Sequence, residues 1–172
     1  KLLLFIASIL SASLFTSAQD ASKTYAITGK ANNNFLWADI KQVDITTGKV
    51  TQTLFTSQKT AFKMTSLDKT VVASRVVDNS PTGFGVAACA LDVRTNRLYF
   101  ATMHFADIRF LDLSKPDANF TTVKKNVIAS GTNTGYQPEE NHITRMVIAA
   151  DGYGYALSTD ANHLIRFSTL KN

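Results

Sequence analysis

From residue 24 to residue 168 the apolar positions fall in short runs, many of them alternating with polar ones. Clusters of Gly, Asp, Asn, Ser and Thr break the runs apart. A period of two between turn residues predicts β-strands. The pattern places them at Thr24–Thr28, Ile40–Ile45 and Val50–Phe55, then at Val86–Val93, Leu98–Thr102, Ile108–Leu113 and Phe120–Val123. Three more follow at Met146–Ala150, Gly154–Ser158 and Ile165–Ser168. Val86–Val93 and Met146–Ala150 are almost continuously apolar, as strands covered on both faces are. Turns are predicted at Thr46–Lys49, Arg94–Asn96, Ser114–Asp117 and Asp151–Tyr153. Long helical patterns between the strands are missing, which argues against an α/β chain and for an all-β one.

The strands repeat as a unit. A tyrosine-bearing strand occurs at Tyr25, Tyr99 and Tyr155. Each is followed by a polar loop and a second strand, beginning Ile40-Lys41, Ile108-Arg109 and Ile165-Arg166. The first unit has no apolar strand ahead of Tyr25, and the third has no strand after Ser168. Two connections are long, Thr56 to Gly85 and Lys125 to His142. Long loops in compact domains carry function or structure of their own. In the first, Ala61–Met64 and Thr70–Ala73 fit an extra hairpin.

Arg145 to Ser168 reads as apolar strand, Asp151-Gly152 turn, tyrosine-rich strand, Asp160-Ala161-Asn162-His163 turn, apolar strand. This resembles the repeat of NHL-type β-propellers. The resemblance covers Gly85–Leu113 less fully, where His104-Phe105-Ala106-Asp107 replaces the Asn-His pair, and Thr24–Phe55 loosely. It implies four-stranded antiparallel blades, here roughly 24–55, 85–124 and 143–172 within a partial propeller domain over 19–172. Closed propellers use about four to eight blades. Three incomplete ones imply an N-terminal fragment of a longer chain, with a strand from its C-terminus completing the first blade. The tyrosines would pack blade against blade, and Asp160 and Asn162 would hold their turn. As a whole the chain also resembles exported propeller proteins of Bacteroidota-type bacteria, a likeness that brings no activity with it.

Export is predicted independently. Lys1 precedes the apolar run Leu2–Leu14, and Thr16-Ser17-Ala18 offers small residues for cleavage. Residues 1–18 therefore read as a secretory signal peptide, and the mature chain as secreted or periplasmic. The run is shorter than the roughly 20 residues that span a bilayer. The chain carries 18 basic and 13 acidic residues. Loss of Lys1 with the leader takes the net charge from +5 to about +4. The basic residues are scattered, with no stripe for nucleic acid. Cys89, the single cysteine, reads as a small core residue.

The candidate site follows from the loops at the end of the repeats where long connections enter. Gln137 to Arg145 is the densest polar cluster, and Glu140, Asn141, His142 and Arg145 are its candidate ligand-binding residues. The loop between the second and third strands adds His104 and Asp107. His163 reads as part of its turn. Signatures such as Gly-x-Ser-x-Gly, His-Glu-x-x-His and Cys-x-x-Cys do not occur. Two functions are expected from this pattern. One is a binding or scaffold module for an extracellular or periplasmic protein, peptide or glycan, with no cofactor. The other is a lactonase-type hydrolase holding a divalent cation, with Glu140 and Asn141 as candidate ligands. A quinone- or haem-linked propeller is disfavoured, because Trp37 is the only tryptophan and no haem-attachment motif occurs.

Overall fold

The computed structural model describes residues 24–29, 36–72, 75–129 and 131–170. The predicted leader lies outside them. The described chain is all-β, in three sheets, none of them closed. β1 (Thr24–Gly29), β2 (Trp37–Val43) and β3 (Val50–Phe55) form the first, an antiparallel meander. β4 (Phe62–Ser66), β5 (Val86–Asp92), β6 (Arg97–Thr102), β7 (Ile108–Asp112) and β8 (Ala118–Lys124) form the second, in the order β4-β8-β7-β6-β5. β9 (Ile143–Ile148), β10 (Tyr153–Ser158) and β11 (Leu164–Ser168) form the third.

Side-chain alternation decides how the sheets stack. Leu98 and Phe100 of β6, with Leu111 and Phe120 of the same sheet, face the first sheet, where they meet Ile40 and Phe55. Tyr99 and Ala101 of β6 face the third, with Phe110, Ile143, Ala156 and Phe167. The middle sheet is thus covered on both faces, which is why Leu98–Ala101 is apolar without interruption. β5, at one edge of the middle sheet, runs beside β9 at the edge of the third. Tyr99 is fully buried between the rings of Phe110 and Phe167, at 5.2 and 5.5 Å. A Cβ on Gly154, which pairs with Phe167, would stand 2.1 Å from that ring, so only glycine lets the phenylalanine cross the strand. Tyr25 lines the crevice between the first two sheets. Tyr155 lies on the face of the third sheet opposite Ala156, and its hydroxyl donates to Asp151 Oδ2 at 2.7 Å. Asp44, Asp92, Asp112, Asp151 and Asp160 each accept a backbone N–H two residues on, so one carboxylate device shapes five of the turns.

Three expectations need correction. The first and third sheets have three strands each, the number expected of the incomplete first and third units, but the second has five where four were expected. The fifth strand is β4, and it also replaces the extra hairpin expected in the first long connection. It pairs in parallel with β8, Met64 opposite Phe120. Met64 reaches the apolar cluster under β8 and Phe62 packs edge-on against Phe55 at 6.1 Å. β4 thereby occupies a sheet edge that would otherwise present unpaired backbone groups. Thr70–Val72 are not strand, and Ala73 lies outside the described residues. Cys89 is not a core residue; it sits on the exposed side of β5. It lines a cleft there, where burial raises its thiol pKa. Among the described residues no helix is long and apolar enough to cross a membrane.

Candidate functional site

The site is built on the turn Met103–Asp107 between β6 and β7. His104 and Ala106 both have positive φ, +68° and +45°, in a region that non-glycine residues seldom occupy. Two such residues in one turn cost energy that surrounding structure has to offset. Four backbone hydrogen bonds do part of this. Met103 N–H donates to Gly85 O, Val127 N–H to Ala106 O, Gln137 N–H to His104 O and Thr102 N–H to Asp107 O. Gly85 (φ +123°) is needed for the first of these. A Cβ there would press on Met103 Sδ at 3.3 Å and Trp37 N at 3.4 Å.

Charge fixes the base of the turn. The Asp107 carboxylate is wholly buried and accepts from Arg75 Nη1 and Nη2, Arg109 Nη2 and Asn126 N–H, at 2.9 to 3.2 Å. Arg109, also wholly buried, donates on to the carbonyls of Val77, Ser80 and Pro81. This ties the segment 75–85, with its 3-10 turn Val76–Asn79, to β7. Burial pulls the Arg75 pKa down, but its hydrogen bonds to Asp78 and Asp107 outweigh that and raise it overall. For Arg109 burial wins, and its pKa is lowered. Burial also opposes ionisation of Asp78, yet Arg75 keeps that carboxyl below its ordinary range.

A second connection closes over the turn. Gln137 is wholly buried; its amide donates to Asn126 Oδ1 and Ile128 O, both at 2.6 Å, and accepts from Asn141 Nδ2 at 3.1 Å. Thr159 N–H donates to His142 O and Asp160 N–H to Glu140 O. Three loops, 103–107, the described residues of 126–142, and 158–163, are thus laced into one rim at a single end of the sheets. Between them lies a cleft of about 470 Å³ lined by Met103, His104, Tyr136, Pro138, Glu139 and His142, with Gln137 behind. The His104 ring stacks on Tyr136 (5.1 Å, 11°) and meets His142 edge-on (4.7 Å, 83°). Burial, and then the neighbouring His142, lower the His104 pKa. His104 Nδ1 and His142 Nε2 are buried without a hydrogen-bond partner. Across Met103 lies a second, more apolar cleft of about 360 Å³, lined by Ile27, Trp37, Val86 and Cys89. A crevice of about 450 Å³ between the first two sheets, beside Tyr25 and Lys115, is at the opposite end of β7 and away from the histidines.

The sequence-predicted residues divide accordingly. His104 and His142 come together in the cleft. Glu140 is exposed beside it, contributing its carbonyl to the rim. The Asn141 amide turns inward to Gln137. Arg145 lies on β9, where Nη1 donates to Ser158 O at 3.3 Å. Asp107 is a buried structural anion rather than a ligand contact, because two guanidiniums and a backbone N–H take its oxygens. His163 is exposed at the turn that Asp160 and Asn162 hold. Sequence reading missed Met103, Tyr136 and Glu139 as cleft residues, and Arg75 and Gln137 as the side chains that fix them. The density of polar residues around Gln137 was the available signal for the last. Among the described residues the histidine cleft is lined by aromatic faces, two imidazoles and one carboxylate. Among the described residues no three His, Cys, Asp or Glu side chains are placed to hold a metal ion. Comparison of the chain with protein-family profiles, curated proteins and solved structures finds no match in any of the three.

Proposed function

We propose that the chain is part of an exported β-propeller that works as a binding module, its site the laced rim around His104, Tyr136 and His142. Supporting the propeller are successive sheets stacked face to face, edge strands β5 and β9 side by side, and tyrosine strands repeating in the same order. The NHL-like turn at Asp160–His163 adds to this. The observation that carries the binding function is the rim itself: two strained residues, a buried ion cluster and a buried glutamine hold three loops in one geometry. Such preorganisation lowers the entropy cost of binding. The exposed Tyr136 ring and the aromatic cleft beneath it suit a peptide or glycan ligand.

The test is binding of the secreted full-length protein to peptide and glycan arrays, repeated with Tyr136→Ala. Binding that the substitution abolishes supports the reading. Array ligands that bind equally well to both proteins would place the site elsewhere.

A further inference from the structure

The two clefts on either side of Met103 differ in chemistry, and together they specify a ligand. On one side Ile27, Trp37 and Val86 offer an apolar slot. On the other, the exposed Tyr136 face, backed by the stacked His104 ring, stands beside Glu139. Among the described residues the Glu139 and Glu140 carboxylates have no ion-pair partner, in a chain of net charge +5. An aromatic face beside an unpaired carboxylate attracts a cation through its quadrupole and its charge at once. His104 strengthens this at neutral pH, since burial and His142 favour its uncharged form. Met103, an unbranched and polarizable side chain, is the shared wall between the two halves and adapts to what lies on each.

Resting on the binding-module reading, we infer that this groove takes an extended peptide presenting an arginine or lysine at the Tyr136–Glu139 side and an apolar side chain at the Trp37 side. Its Glu139 carboxylate matches the basic side chain, and its apolar slot matches the neighbour. A glycan has the flat apolar faces but no cationic group for Glu139 to meet.

The experiment uses the full-length protein and fluorescein-labelled peptides in a Gly/Ser background. One carries Arg beside Leu; others replace Arg by Gln or Leu by Ser; a labelled maltohexaose is run alongside. Fluorescence anisotropy is expected to rank the Arg–Leu peptide tightest. Glu139→Gln, an exposed change, should weaken it by about ten-fold or more, as loss of one charge-assisted contact does. Tyr136→Ala should weaken it at least as much, and Tyr136→Phe should restore it, because the ring face and not the hydroxyl is required. Equal affinity for the Arg and Gln peptides overturns the basic-peptide inference. Maltohexaose binding that depends on Tyr136 but not Glu139 overturns it too, while leaving the binding module standing. No dependence of any ligand on Tyr136 or Glu139 overturns both.

Discussion

Replacing Asp107 by Ala is the sharpest test of how the rim is held. Its carboxylate is wholly buried and pairs with two wholly buried guanidiniums, from Arg75 and Arg109. Without it, Arg75 keeps Asp78 at 2.8 Å, but Arg109 retains that carboxylate only at 3.7 Å. Asn126 N–H and one Arg75 donor lose their acceptor altogether. Breaking a buried pair costs about 3–5 kcal/mol. The surviving Asp78 contact puts the expected loss near the lower end, about 3 kcal/mol. That is a large share of the roughly 5–15 kcal/mol that stabilises a domain. At about 2–4 °C per kcal/mol it lowers Tm by about 6–12 °C. Urea unfolding followed by far-UV circular dichroism measures the loss. Lys63→Ala serves as the contrast, since its ion pair with Asp117 is exposed on both sides and is worth at most about 1 kcal/mol. A loss below about 1 kcal/mol for Asp107→Ala, or one no larger than that of Lys63→Ala, would refute the claim that this cluster holds the turn.

Gly154→Ala should destabilise by about 1–3 kcal/mol, because the added carbon collides with the Phe167 ring; unchanged Tm would mean that the third sheet packs more loosely than described. Acidification should act in two steps. His104 has a lowered pKa, so its share of stability is complete above about 6.5 and is shed as pH falls below it. Asp78 is also lowered, so its share is present above about 3.8 and lost as pH falls through its folded value. His104→Asn, which tolerates positive φ, should abolish the first step in the pH dependence of the urea midpoint and leave the second. Metal content by mass spectrometry of protein purified without chelator should show no stoichiometric divalent ion; one that is lost in Glu140→Ala, Asn141→Ala would replace the binding reading with the hydrolase.

The strands were legible because their alternation and their turns are local. β3 coincides with the predicted run, and β6 and β10 differ from theirs by one residue. The aspartates that bend the chain bond two residues ahead. What escaped depends on partners far along the chain. β4 finds β8 about 55 residues away, and a parallel neighbour leaves no turn in the sequence to announce it. Asp107 looked like a surface ligand because it follows a polar turn. It is buried by Arg75, 32 residues earlier. Tyr136 was indistinguishable from any loop aromatic until Gln137 pinned its neighbours against the His104 turn. Of the site, His104 and His142 were visible as chemistry, and their meeting was not.

The segment between β3 and β5 is fastened at two points, by β4 zipped along β8 and by Arg75 locked into the buried ion cluster. A further tie follows at Asp68, whose Oδ2 accepts from Lys125 N–H at 2.7 Å, and beyond it Val71 stands 94% exposed. A protease cut near Lys69 would therefore leave two pieces still gripped by the same body, a nicked molecule that migrates as one until it is denatured. The same stretch is a natural port for grafting: a reporter or guest domain spliced in beside Val71 would sit between two moorings that hold without it.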